Sequence, residues 1–106
     1  MSSRLRSDLF VQSLIRIAEG MGGFALVRHR GHDVAGIVHL VIEEAVGKYS
    51  VYVERPYATG AAGWVPVLEQ VDASRVDRFF EKERSFDRDL WAVEIEGGVR
   101  IGDMSV

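Results

Sequence analysis

Cysteine is missing from the 106 residues. Its absence excludes disulfide frameworks, thiolate zinc sites, iron–sulfur clusters and cysteine nucleophiles. Proline occurs twice and glycine 11 times, far from the enrichment of collagen-like or low-complexity chains. Basic residues are not in excess. The 13 Lys and Arg against 16 Asp and Glu leave a formal charge of −3, so a generic basic footprint for nucleic acid is absent. Long apolar runs are missing too. The longest, Ala35 to Ile42, is broken by His39 and falls well short of the ~20 residues a membrane-spanning helix needs. Arg4 and Arg6 precede an apolar stretch, but Asp8, Gln12 and Arg16 interrupt it and no small-residue cleavage site follows. The expectation is a cytoplasmic protein with no membrane and no nucleic-acid partner.

What is present is ordinary for a globular chain. Apolar residues make up 47% and charged residues 27%. The length suits one domain over residues 1–106 that buries roughly two thirds of its unfolded surface without metals or disulfides.

Ser7 to Gly20 reads as a helix. Phe10, Leu14, Ile17, Ala18 and Met21 recur at helical spacing, with Asp8, Gln12, Arg16 and Glu19 on the other side. Ser7 is placed to cap its start and Gly20 to end it. Phe24 to Arg28 and Val34 to Glu43 are rich in β-branched and aromatic residues. Arg30-Gly31-His32-Asp33 between them is turn chemistry, which predicts a hairpin with Phe24 opposite His39 and Ala25 opposite Val38. One hairpin face would carry Ala25, Val27, Val34, Val38, Leu40 and Ile42 to the core. The other would carry Phe24, Leu26, Arg28, Arg30, Ile37, His39 and Val41. Lys48 to Glu54 is a third strand, with Gly47 as a bulge that leaves its register open. Arg55 to Gly63 is a long loop. Trp64 to Val71 is a fourth strand, which Pro66 assigns to an edge or a bulge. Asp72 or Ser74 caps a second helix running to about Arg84, with Val76, Phe79 and Phe80 on its buried stripe. Leu90 to Glu96 returns to strand, and Gly97-Gly98 turns into a short strand, Val99 to Ile101. The order is α-β-β-β-β-α-β-β. Consecutive strands predict an α+β fold, a mainly antiparallel sheet with two helices packed on one face. Trp91, Val93, Ile95, Phe79 and Phe80 should share one core with the first helix.

The stretch Arg84-Ser85-Phe86-Asp87-Arg88-Asp89-Leu90-Trp91-Ala92-Val93-Glu94-Ile95-Glu96 resembles the C-terminal signature of a family of small alphaproteobacterial proteins, domain of unknown function fourteen-ninety-one. Members carry arginine-phenylalanine-aspartate, often a proline, then aspartate-leucine-tryptophan and an acidic strand. Here Ser85 separates Arg84 from Phe86, and Arg88 stands in place of the proline. The opening helix followed by Gly22-Gly23-Phe24-Ala25-Leu26-Val27-Arg28 is also similar to the family. The resemblance implies a stand-alone bacterial protein. It brings no activity and no functional residue with it.

The residues that could carry chemistry point to little. His29, His32 and Asp33 cluster in sequence, but the hairpin register places His39 roughly 17 Å from His29, so the three histidines do not share an ion. A hairpin-tip Asp ordinarily bonds its own backbone, and no metal site is assigned. Between Ser74 and Asp89 five positive and five negative side chains balance, which reads as a solvated helix face. No serine lies in a Gly-x-Ser-x-Gly elbow. Gly20, Gly22 and Gly23 follow a helix and precede a strand, the reverse of a phosphate cradle. No cofactor is implied. Tyr52, Tyr57 and Trp64 flank the long loop near Arg55, a combination enriched at interfaces and equally one that packs over a sheet.

The reading is a non-catalytic protein-interaction module that self-associates as a homodimer or meets a protein partner. Its binding residues would be Phe24, Leu26, Arg28, His39, Tyr52, Arg55 and Trp64. The alternative is a small hydrolase-like enzyme using carboxylates near Glu81 to Asp89 or the His29 to Asp33 tip.

Overall fold

A computed structural model describes residues 5–55 and 63–105. The elements are α1 (Ser7–Gly20), β1 (Phe24–His29), β2 (Val38–Ala45), β3 (Lys48–Glu54), β4 (Trp64–Val71), α2 (Ala73–Phe86) and β5 (Trp91–Glu96). The α+β class and the element order through β5 follow the sequence reading. The last expected strand is instead a 3-10 turn at Ile101–Asp103, reached through Gly97 and Gly98, both at positive φ. Most of the Arg55 to Gly63 loop, with Tyr57, lies outside the described residues.

The five strands form one sheet in the order β1-β5-β2-β3-β4. β1 with β5, β2 with β3 and β3 with β4 are antiparallel, while β2 and β5 are parallel. The sheet is therefore mixed. The expected β1–β2 hairpin does not form, because β5 lies between those strands, with Ala92 paired to both His29 and His39. Two strand spacings, roughly 10 Å, thus replace the 17 Å expected between these histidines.

The segment between β1 and β2 crosses the start of β5 instead of turning back. His32 N donates to the Asp89 carbonyl at 2.9 Å, and Trp91 Nε1 donates to the His32 carbonyl at 2.8 Å. A Cβ on Gly31 or Gly36 would collide with the Asp89 carbonyl. Those glycines serve a close backbone approach rather than a hairpin tip.

The helices lie on opposite faces of the sheet, not on one. β4 and β5 run in the same direction, so the chain must cross the sheet between them, and α2 is that crossover. It buries Val76 and Phe80 against Val41, Val51, Leu90 and Ala92. On the other face, Phe10, Val11, Leu14 and Ala18 of α1 pack on Val38, Leu40, Ile42, Trp91, Val93 and Ile95. Phe80 therefore sits in a second core across the sheet from α1, with Phe79 packed against it. Val34 and Val27, expected in the core, are 53% and 38% exposed.

Local chemistry accounts for the helix ends. The Asp72 carboxylate accepts from Arg75 N at 2.8 Å, and Ser74 Oγ donates to the same oxygen. Asp72, not Ser74, is thus the N-cap of α2. Ser7 does not cap α1. It is the first helical residue, and its hydroxyl donates to the Gly36 carbonyl at 2.6 Å. Pro66 lies in edge strand β4, and the register of β2 on β3 shifts beside Gly47, both as read from the sequence.

Candidate functional site

The residues expected to bind divide among five places. Phe24 and Leu26 stand on edge strand β1, 55% and 57% exposed. They lie on the α2 side of the sheet, beyond the reach of α2. Arg28, on the same strand, is half-buried. Its Nη1 donates to Glu94 at 2.6 Å, it also pairs with Asp77, and its guanidinium lies 5.5 Å from the Phe80 ring centre. This ties β1 to β5 and to α2. His39 is buried under α2, edge-on to Phe79 and Phe80, with Nδ1 3.3 Å from the Trp91 carbonyl. Val41, expected on an uncovered face, is buried there as well. Trp64 belongs to the α1 core, stacked on Phe10 with its indole N–H donated to the Met104 carbonyl. Arg55 is exposed at the end of β3.

Tyr52 alone of these residues lines a cavity. The hollow holds about 490 Å³ and is bounded by Ile42, Glu43, Glu44, Tyr52, Gln70 and the segment from Gly98 to Ile101. It arises because α1 covers the β1–β5 side of its face, while the chain after β5 folds back to roof the other side. Along its wall, the Tyr52 hydroxyl donates to Glu44 Oε1, and Gln70 Nε2 donates to Glu44 Oε2 at 2.7 Å, the latter pair exposed. Burial, then the neighbouring carboxylate, pushes the Tyr52 phenol up to about 12, so it remains a donor.

Two irregularities aim these groups. Gln70 lies in a bulge of β4 with φ 56°, and its N–H donates to Ser50 Oγ at 3.1 Å. The shift in β2 between Glu43 and Ala45 adjoins Glu44. Bulges commonly redirect side chains in this way. Glu44, Gln70 and Arg100 were not legible as site residues, because a left-handed Gln has no sequence signal.

The catalytic alternatives gain no geometry. Asp87 accepts from Asp89 N at 3.0 Å, an Asx turn at the end of α2, and Glu81 is exposed. None of the carboxylates from Glu81 to Asp89 lines the cavity. At the β1–β2 crossing, Asp33 pairs with Arg30, and His32 Nδ1 accepts from Val34 N and Ala35 N. Among the described residues no three metal-ligating side chains converge, and no helix is long and apolar enough to cross a membrane.

Comparison with known proteins gives a consistent outcome. Residues 5–100 match the family described as "Protein of unknown function (DUF1491)". The solution structure of protein Atu0922 from A. tumefaciens is 30% identical with a TM-score of 0.81, covering 97% of this chain and 94% of that one. The crystal structure of a DUF1491 family protein from Caulobacter crescentus is 31% identical with a TM-score of 0.74, covering 89% and 88%. An NMR structure of a DUF1491 family protein from C. crescentus is 30% identical with a TM-score of 0.71, covering 94% of both chains. Among curated proteins no relative matches.

Proposed function

Since the chain belongs to the DUF1491 family, whose function is unknown, we propose from its own geometry that it is a non-catalytic interaction module that self-associates through β1. The observation that carries this reading is the β1 edge. Phe24, Leu26 and Val27 are 55%, 57% and 38% exposed on a strand paired along one side only. Such a strand is a template for another strand unless proline, lysine or a covering segment blunts it. β1 contains neither proline nor lysine, whereas the opposite edge, β4, carries Pro66 and Glu69.

Antiparallel pairing about a twofold axis at Leu26 is self-complementary. It sets Leu26 against its own copy and Phe24 against the partner subunit's Arg28, on one continuous sheet. Aromatic and cationic residues so placed attract, and closed twofold dimers are the commonest oligomers. Of the expected binding residues, Phe24, Leu26 and Arg28 belong to this surface. His39 and Trp64 support the two cores beneath it.

Light scattering at micromolar concentration tests the reading. The expected mass is twice the 11.8 kDa of one chain. Leu26→Glu should return it to a single chain mass with the far-ultraviolet circular dichroism unchanged. A single chain mass for the unaltered protein at every concentration rejects it.

A further inference from the structure

The cavity beside Tyr52 is separate from the β1 edge, and its walls have a defined chemistry. Ile42, Val99 and Ile101 are apolar; Glu43, Glu44 and Arg100 carry charge, with negative in excess. Glu43 accepts from Gly47 N at 3.1 Å and faces Tyr49 across the strands. Arg100 is exposed. Glu44, itself exposed, is the lining carboxylate fixed in place by side-chain hydrogen bonds. Both of its oxygens are held, but by neutral donors, the Tyr52 phenol and the Gln70 amide. Among the described residues no Lys or Arg forms an ion pair with Glu44, Arg100 included.

A carboxylate oriented by two neutral donors has lone pairs left over for a third. Glu44 is exposed, so its pull on a cation is the modest one of a surface charge, and the apolar wall beside it supplies the rest of the hold. The volume, about 490 Å³, lies within the ordinary range for small-molecule sites.

We propose that this cavity binds a small amphipathic molecule through a protonated primary amine, held by Glu44 between Tyr52 and Gln70, with the apolar part of the molecule against Ile42, Val99 and Ile101. An anion would find one cation in the lining, Arg100, and two carboxylates opposing it.

Benzylamine is a suitable probe, with benzyl alcohol and benzoate as isosteric neutral and anionic controls. Titrated into the full chain and followed by amide nuclear magnetic resonance, benzylamine should shift the signals of Glu44, Gly98 and Val99 saturably. A millimolar Kd is expected for so small a ligand. Both controls should bind at least about tenfold more weakly, since a charge-assisted bond is lost. Glu44→Gln should weaken benzylamine by a similar factor. Gln70→Asn keeps a residue that tolerates positive φ but shortens the hold on Glu44. It should weaken binding several-fold, and it serves as the test if Glu44→Gln does not fold. Absence of saturable shifts, equal binding of benzoate, or affinity unchanged in both variants overturns the proposal.

Discussion

His39 occupies a place where a charge is costly. It is 6% exposed, edge-on to the touching rings of Phe79 and Phe80. Burial holds its pKa below the usual 6.5. The Trp91 carbonyl, Glu83 and Asp87 pull it upward, and Arg55 adds to the lowering. His29, against the other side of Phe80, is lowered for the same first reason, with Arg84 and Arg28 contributing. A histidine whose folded pKa is depressed binds its proton more readily in the unfolded chain. Its full stability is present above about pH 6.5 and is lost as pH falls through the folded pKa. The denaturant midpoint should therefore drop between about pH 8 and pH 5. His39→Gln should remove part of that drop while leaving the Asp and Glu contributions at lower pH. An unchanged slope in His39→Gln would place the proton uptake elsewhere.

At the scale of elements, α2 depends on a single large anchor. Phe80 is 1% exposed and meets Phe79, His39, His29 and Arg28. Phe80→Ala should cost about 3–5 kcal/mol in chemical denaturation, through lost contacts and the cavity left behind. Loss of under about 1 kcal/mol would show that the layer can collapse around the gap. The elements themselves were legible. Period 3.6 in Phe10, Leu14 and Ala18, and alternation in Tyr49, Val51 and Val53, mark α1 and β3 directly. Their partners were not. Gly31 and His32 look locally like a hairpin turn, yet the competing pairing comes from β5, whose strength lies in distant side chains. A usable signal was present in the runs Val38 to Ile42 and Leu90 to Val93. Near-continuous apolarity marks strands covered on both faces, and it would have placed a helix on each side of the sheet. The cavity was less legible still, because it rests on a positive φ at Gln70 and on the return of the chain after Gly98.

At the scale of the whole molecule, the two helical layers share their floor. β2 sends Leu40 to one face and Val41 to the other, and β5 does the same with Val93 and Ala92. The radius of gyration is 12.8 Å, about that of a compact domain of ~100 residues. Neither layer keeps its floor if the other unfolds, so both should be lost in one transition. Trp64 and Trp91, both in the α1 layer, report it by fluorescence, and circular dichroism reports both helices. The two denaturant curves should superimpose. Separate midpoints would mean that the layers open independently.

The central place of β5 also governs how the protein comes into being on the ribosome. β1 is made early, but its neighbour in the sheet is the last strand in chain order. The 67 residues that follow His29, up to and including Glu96, take roughly 3 to 13 s to polymerise at ordinary translation rates. Throughout that interval Phe24, Leu26 and Val27 belong to a strand with both edges open. The same segment whose outer edge stays exposed in the folded sheet is, in the nascent chain, the stretch most in need of protection.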